Sequence, residues 1–112
     1  MSIQDKDHQR NQKDHYDQRF RQNIMQTTCS HIQELTTLQV ADEHVCEECI
    51  KQHGTWVHLR TCQTCGVTLC CDDSPMKHMT AHYHETSHPV ISSAEPGERW
   101  LWCYPDKVFA EY

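Results

Sequence analysis

Short apolar segments alternate with longer polar stretches along the chain, and their periods predict the secondary structure. Tyr16, Phe20 and Ile24 recur every four residues, which predicts a short amphipathic helix that lies on the domain. A helix that binds a partner protein is the alternative interpretation of this stripe. Alternating apolar and polar positions, bounded by turn residues, predict a set of short strands. The predicted strands are residues 56–60, 66–70, 90–91, 100–104 and 108–112, and the first two form a hairpin.

One main helix is predicted between the hairpin and the third strand, at about residues 75–86. Ser74 suits the N-cap, and Pro75 fits the first helical position. Pro89 disfavours helical geometry at the residue before it, so the helix should end before His88. The predicted fold class is therefore α+β, with a small twisted antiparallel sheet, this helix and an N-terminal helix.

The composition indicates a thin hydrophobic core. The chain has 112 residues, of which 37% are hydrophobic, together with eight cysteines and ten histidines. Small domains that bury little apolar surface usually add disulfides or metal ions. Residues 1–10 contain no apolar run typical of a secretory signal, and no stretch approaches the roughly 18 apolar residues of a membrane span. We therefore expect a cytoplasmic protein whose reduced cysteines bind metal.

Charge and polarity divide the chain and exclude one class of partner. Residues 1–13 are almost entirely polar, so we expect residues 1–26 to form an N-terminal extension and residues 27–112 the folded domain.

The formal net charge is −6, and no basic face is evident. An acidic domain is a poor partner for phosphate backbones, which argues against binding to nucleic acid.

The residues with the clearest chemistry lie between positions 62 and 88, where four cysteines and four histidines occur. Cys62 and Cys65 form a Cys-x-x-Cys pair, and Gly66 after them can adopt the backbone angles of a tight turn. His78 and His82 are four residues apart and would project from one face of a helix. A second Cys-x-x-Cys pair lies upstream at residues 46–49. Mixed thiolate and imidazole donors indicate Zn²⁺ rather than disulfides.

The order and spacing of these residues resemble the UBP-type zinc finger, which occurs in ubiquitin-specific proteases and in one cytoplasmic histone deacetylase. The resemblance covers roughly residues 27–110 and is closest to the short stand-alone prokaryotic members. It rests on the following residues: Cys29-x-His31, Cys46-x-x-Cys49, Cys62-x-x-Cys65-Gly66, Cys70, His78-x-x-x-His82, the run at 84–89 and Trp102-Cys103-Tyr104.

The resemblance implies interleaved zinc sites of four ligands each. We call them the first, second and third sites. Closed four-ligand sites leave no position for substrate, so they are structural. Two zinc ions are expected in the first two sites, and a third ion in the third. The implied ligands are Cys46, Cys49, Cys70 and His78; then Cys62, Cys65, His82 and His88; then Cys29, His31, Cys103 and Asp106.

Two ligand assignments stay open at this point. Asp106 stands where family members have a second cysteine, and a carboxylate can ligate zinc. Asp106 could instead be a turn residue, which would leave the third site empty or completed by water, and His44 and His58 are other candidates for the fourth ligand. Cys70 matches the family spacing from Cys65, but Cys71 is its direct neighbour. Adjacent side chains on a strand point to opposite faces, so the two thiols should not bind one ion.

The resemblance also implies a protein-interaction module. The best-known family function is to bind the free C-terminal Gly-Gly tail of ubiquitin, in an aromatic pocket that holds the carboxylate with an arginine. Trp102 and Tyr104 match the aromatic positions, but Asp72 stands where the arginine would be. Family members usually have a tryptophan two residues before the Cys62-x-x-Cys65 knuckle, where this chain has Arg60. Trp56 lies four residues earlier and does not match that position. We therefore expect a protein or a peptide C-terminus as partner, with ubiquitin as the alternative to an unknown protein.

The missing cation must come from elsewhere in the chain if a carboxylate is to be bound. The basic residues considered for this role are Arg60, Lys77 and Arg99.

One motif points to an enzyme, and its context argues against it. Residues 84–88 read His-Glu-Thr-Ser-His, which fits the His-Glu-x-x-His pattern of zinc proteases. That chemistry needs His84 and His88 on one continuous helix, with Glu85 as the base. Pro89 indicates that the helix has already ended, and His88 is required by the second zinc site. We therefore expect no enzymatic activity.

Overall fold

The computed structural model describes residues 20–112. The predicted polar stretch at residues 1–13, and Tyr16 of the apolar stripe, lie outside the described residues. The described part of the chain forms a five-stranded antiparallel sheet flanked by short helices, which confirms the predicted α+β class. None of the helices between residues 20 and 112 is long and apolar enough to span a membrane.

The strands of the sheet follow the order β2-β1-β3-β4-β5, and every neighbouring pair is antiparallel. The predicted hairpin is present as β1 and β2, although β1 begins at Leu59 rather than at residue 56. The elements are α1 (described residues 20–24), α2 (Ser30–Gln33), α3 (Glu47–Lys51), β1 (Leu59–Cys62), β2 (Thr68–Cys70), α4 (His78–Thr86), β3 (Val90–Ser93), β4 (Trp100–Cys103) and β5 (Val108–Glu111).

One face of the sheet packs against the N-terminal helices. Val90, Leu101 and Cys103 belong to this face, and they form a core cluster with residues of α1 and α2. Phe20 and Ile24 of the predicted apolar stripe are fully buried in that cluster. The packed unit thus includes residues that the sequence analysis assigned to the N-terminal extension.

The opposite face of the sheet packs against α4. Ile91 pairs with Cys62 on one side and with Trp102 on the other, so the three side chains share this face. Ile91 and Cys62 belong to a second core cluster with Met79 of α4. Both core clusters contain cysteines, so the predicted metal ligands lie inside the hydrophobic core.

The main helix begins later than the sequence predicted. α4 starts at His78 instead of residue 75, after Lys77 in the left-handed region at φ 49°. Ser74 does not cap this helix, because its hydroxyl accepts a hydrogen bond from the backbone N–H of Val57 at 2.8 Å. The predicted end is confirmed: Thr86 is the last helical residue, and Ser87 follows at φ 62°.

Cys29 and His31 of the third predicted site lie at the start of α2. Cys29 is the N-cap of α2, and His31 lies within that helix. The backbone N–H of Gln33 donates to the carbonyl of Cys29 at 3.0 Å. The helical turn therefore brings the thiol and the imidazole to the same end of α2.

Truncating a buried isoleucine should reveal how far stability depends on the N-terminal helices. Ile32 in α2 is fully buried, so we expect Ile32→Ala to lower the free energy of unfolding by about 2–5 kcal/mol. Ile50 in α3 is 53% exposed, and Ile50→Ala should change it by less than about 0.5 kcal/mol. Urea unfolding at saturating zinc measures both values. Equal effects would contradict the packing of α2 on the sheet.

Candidate metal centres

The first predicted site gathers four donors from three elements. Cys46 is the N-cap of α3, and its sulfur accepts a hydrogen bond from the backbone N–H of Cys49 at 3.3 Å. Cys70 ends β2, and His78 begins α4. The N–H of His78 donates to the Cys70 sulfur at 3.2 Å, which fixes the start of the helix beside the thiol. The four donor atoms lie within 4.8 Å of one another.

The donor distances in this group match those of a tetrahedral zinc site. With Zn–S of about 2.3 Å and Zn–N of about 2.0–2.1 Å, two sulfurs lie about 3.8 Å apart and sulfur and nitrogen about 3.5 Å. The Cys49 and Cys70 sulfurs are 3.9 Å apart. His78 Nδ1 lies 3.5, 3.4 and 3.5 Å from the sulfurs of Cys46, Cys49 and Cys70. The residues present therefore fit this metal.

The second predicted site is built around the knuckle after β1. The N–H of Gly66 donates to the Cys62 carbonyl at 2.8 Å, and Gly66 has φ 83°. A side chain there would be strained by this backbone angle, and a Cβ would approach the Gln39 carboxamide oxygen to 3.3 Å. The turn points Cys62 and Cys65 towards the imidazoles of His82 in α4 and His88 after it.

The distances in the second site also fit a tetrahedral ion. The Cys62 sulfur lies 3.5 Å from His88 Nδ1, and the Cys65 sulfur 3.5 Å from His82 Nε2. The two imidazole nitrogens are 3.3 Å apart, close to the value of about 3.3 Å for two nitrogens on one zinc. Cys65 is exposed, whereas the three cysteines of the first site are buried. The second site is therefore the more accessible of the two.

The third predicted site connects α2 to the end of β4 and the turn after it. Asp106 Oδ2 lies 2.9 Å from the Cys29 sulfur and 2.9 Å from His31 Nδ1. His31 Nδ1 is 3.5 Å from the Cys103 sulfur and 4.0 Å from the Cys29 sulfur. Asp106 is thus a turn residue whose carboxylate also points into the donor group. The oxygen contacts are shorter than two ligands on one zinc would give, about 3.4 Å, so this group fits zinc less closely.

The structure brings none of the alternative ligands to these sites. His44 is not near Asp106; its Nε2 lies 3.1 Å from a carboxylate oxygen of Glu95. His58 groups instead with Cys71 and Asp73. Cys70, rather than Cys71, faces Cys49 and His78, because the two adjacent side chains point to opposite faces. The Cys71 sulfur lies 3.5 Å from the Ser74 hydroxyl.

Without metal, some of the grouped thiols resist ionisation. Burial, together with the neighbouring Cys46 and Cys70, raises the pKa of Cys49 to about 12. Burial also raises the pKa of Cys103 to about 12, with Cys29 contributing. Burial and the nearby His88 lower the pKa of His82, so that imidazole stays neutral and able to ligate. Repulsion between neighbouring thiolates accounts for part of the raised pKa values of Cys49 and Cys103, and a bound cation would remove that repulsion.

Cys71 differs from the grouped thiols. Burial raises its pKa, but this effect is outweighed by the hydrogen bonds from the Ser74 hydroxyl and from the backbone of His58 and Asp73. The positive charge of Arg60 acts in the same direction, and the pKa of Cys71 is lowered overall.

The protease-like motif does not assemble. His84 lies in α4, but the helix ends at Thr86, and His88 turns away to face Cys62. His84 and His88 therefore do not present their imidazoles from one helical turn. The geometry needed for a His-Glu-x-x-His metal site is missing among the described residues.

A cavity of about 250 Å³ lies on the sheet face that also carries α4. Its walls include the three candidate ligand-binding residues, Arg60, Trp102 and Tyr104. Trp100 also lines the cavity, and the Arg60 guanidinium carbon lies 4.6 Å from the Trp100 ring centroid. Tyr104 stacks on Tyr83 of α4 with ring centroids 4.4 Å apart, so its ring is held in place. Trp102 and Tyr104 therefore pack on the core and also line the cavity.

The charge around the cavity is mixed. Asp72 and Asp73 line it together with Arg60. Asp72 accepts a hydrogen bond from the hydroxyl of Thr80, which holds this carboxylate against α4. Lys77 and Arg99 do not line the cavity: Lys77 precedes α4, and the Arg99 guanidinium lies over the Tyr112 ring. Arg60 is the cation that the fold places there.

The chain is similar to one protein family and to a solved structure. The family model described as a Zn-finger in ubiquitin-hydrolases and other proteins matches residues 46–111. A protein of Rhodopseudomonas palustris, solved by solution NMR, is 46% identical to this chain with a TM-score of 0.68. The match covers 78% of this chain and 84% of that one. No curated protein matches the chain at a significant level.

Zinc affinity should fall steeply as the pH is lowered. The raised pKa values keep Cys49 and Cys103 protonated in the metal-free fold at neutral pH, and zinc must displace these protons. We expect the apparent affinity to drop about tenfold per pH unit for each proton displaced. Competition titrations with a coloured zinc chelator between about pH 6.5 and about pH 8 measure this slope. An affinity independent of pH would contradict thiolate ligation.

Proposed function

Because this chain belongs to the family of zinc fingers found in ubiquitin hydrolases and other proteins, we propose that it is a zinc-stabilised protein-interaction module without catalytic activity. The observation that supports this function best is the cavity in which Arg60 faces Trp102 and Tyr104. Such a cavity suits the free C-terminus of a peptide.

We assign zinc a structural role at the first and second sites, and a third ion to Cys29, His31, Cys103 and Asp106. The donor sets of the first two sites are complete at four, so an ion there has no position open to substrate. All eight cysteines are free thiols, which leaves them available as ligands. Free thiols of this kind persist in a reducing compartment, and we place the protein in the cytoplasm on that ground.

The cavity offers the two kinds of contact that a C-terminal tail needs. Arg60 uses one guanidinium nitrogen to donate to the Leu59 carbonyl at 2.9 Å, and its planar fork has further N–H donors for a carboxylate. The rings of Trp100 and Trp102 give flat walls that suit a chain of small residues. Burial raises the pKa of Tyr104, so its hydroxyl keeps its proton and remains a donor.

Asp72 opposes an anionic ligand at the same cavity. A carboxylate near Asp72 is repelled, and this repulsion offsets part of the attraction to Arg60. We therefore expect weaker binding of a C-terminal carboxylate than a cavity with a second arginine would give. This balance is the reason to treat ubiquitin as a candidate partner rather than as the assigned one.

The test is calorimetric titration of the zinc-loaded protein with ubiquitin, and with ubiquitin lacking its last two glycines. If ubiquitin is the partner, micromolar binding should be lost on truncation, because the carboxylate would no longer reach Arg60. Binding of equal strength to both forms would contradict a tail pocket. No heat with either form would remove ubiquitin as the partner and leave another protein C-terminus to be found.

Variants of the cavity test the role of Arg60 separately. Arg60→Ala should weaken the binding of a C-terminal tail about tenfold to a hundredfold, because a charge-assisted hydrogen bond to the carboxylate is lost. Arg60→Lys should recover only part of the affinity, since a lysine cannot bind bidentately. Arg99→Ala, a change outside the cavity lining, is the matched control and should bind as the wild type does. Asp72→Asn should strengthen binding by relieving the repulsion.

A further inference from the structure

A fourth group of metal-binding side chains lies beside the cavity and outside the three sites described above. It consists of His58, Cys71 and Asp73, whose donor atoms lie within 4.8 Å of one another. We propose that this group is an open metal site, with three protein ligands for a thiophilic divalent cation such as Zn²⁺. The proposal is independent of the tail-binding function, because its test measures the metal alone.

The end of the β1–β2 hairpin brings two of the donors together. The ladder pairs Leu59 with Cys70, and the N–H of Cys71 donates to the His58 carbonyl at 3.0 Å, which extends the pairing by one residue. Residues opposite each other in an antiparallel pair project to the same face. His58 and Cys71 therefore share the face opposite to that of Leu59 and Cys70, and Cys71 points away from the first site.

A tight turn adds the third donor. The N–H of Ser74 donates to the Cys71 carbonyl at 3.0 Å, so the chain folds back directly after Cys71. The Ser74 hydroxyl accepts from the N–H of Val57, which ties this turn to the segment before β1. The turn places Asp73 beside the thiol and the imidazole. The hydrogen bond between Val57 and Ser74, which keeps Ser74 from capping α4, therefore fixes the turn that positions Asp73.

The donor chemistry is that of an open zinc site. One thiolate, one imidazole and one carboxylate are all zinc ligands, and three protein ligands leave the fourth tetrahedral position to another molecule. Cys71 is buried at 5% exposure, whereas His58 and Asp73 are exposed, so an ion can enter from solvent. A thiolate and a carboxylate carry two negative charges, which balance a divalent cation.

The open position has a chemical consequence for the neighbouring cavity. Cys71 and Asp73 line the cavity wall together with Arg60. An ion held there would offset the acidic charge of that wall and offer a coordination position to water or to a carboxylate. A ligand that binds at this open coordination position therefore needs a negatively charged oxygen donor.

The test compares the zinc content of the full chain and its variants by native mass spectrometry at saturating zinc. The wild type should carry one more ion than His58→Ala and Asp73→Asn. Both changes are at exposed positions, so the fold should be kept. The matched controls are His84→Ala and Asp42→Asn, which alter an exposed histidine and an exposed aspartate outside the group. Both controls should keep the full ion count.

A second readout identifies the ligands of the additional ion. In cadmium-113 NMR of the cadmium-loaded protein, we expect one resonance from a site with a single thiolate, in addition to those of the sites richer in sulfur. Cys71→Ser should remove that resonance and leave the others unchanged. Equal ion counts in the wild type and the His58→Ala variant would overturn the proposal, as would loss of the ion in either control.

Discussion

Groups of thiols and imidazoles from distant segments join the elements of this small domain. The helix α4 shows this most clearly, because it has nine residues and only Met79 is buried among them. A helix this short is unstable alone, and besides Met79 its packing includes the stacking of Tyr83 on Tyr104. His78 joins it to the first donor group and His82 to the second. The position of α4, and hence the cavity wall formed with Tyr104, depends on those two imidazoles.

At two places, the alternation of side chains along a strand separates a structural residue from the binding surface. Cys70 and Cys71 are consecutive, yet one belongs to the first donor group and the other lines the cavity. Likewise Leu101 is buried against the N-terminal helices, while Trp100 and Trp102 face the cavity. Arg60 and Asp72 on the cavity surface can therefore vary in sequence without altering Cys70 or Leu101, which belong to the structural groups.

Much of the fold and of the donor groups could be predicted from sequence, because cysteine and histidine spacing carries strong information. The Cys-x-x-Cys pairs, the hairpin and the helix end before Pro89 all follow from local rules. The helix start could not be predicted, since Ser74 bonds to Val57, seventeen residues away, instead of capping α4. The group around His58 was also missed, because His58 meets Cys71 only through the pairing at the end of the β1–β2 hairpin. Local rules fail where a side chain has a distant partner.

The interleaving of the donor groups has a consequence for how the chain is made. In the sequence, His78 follows Cys46 by 32 residues, His88 follows Cys62 by 26, and Asp106 follows Cys29 by 77. These intervals overlap, so a chain leaving the ribosome cannot complete one group and set it aside before starting the next. Each Cys-x-x-Cys pair stays incomplete until α4 or the residues just after it emerge, and Cys29 and His31 stay incomplete until the turn after β4. During that interval the nascent chain exposes paired thiols to oxidation and to the wrong metal, and its assembly depends on zinc supplied at the right moment.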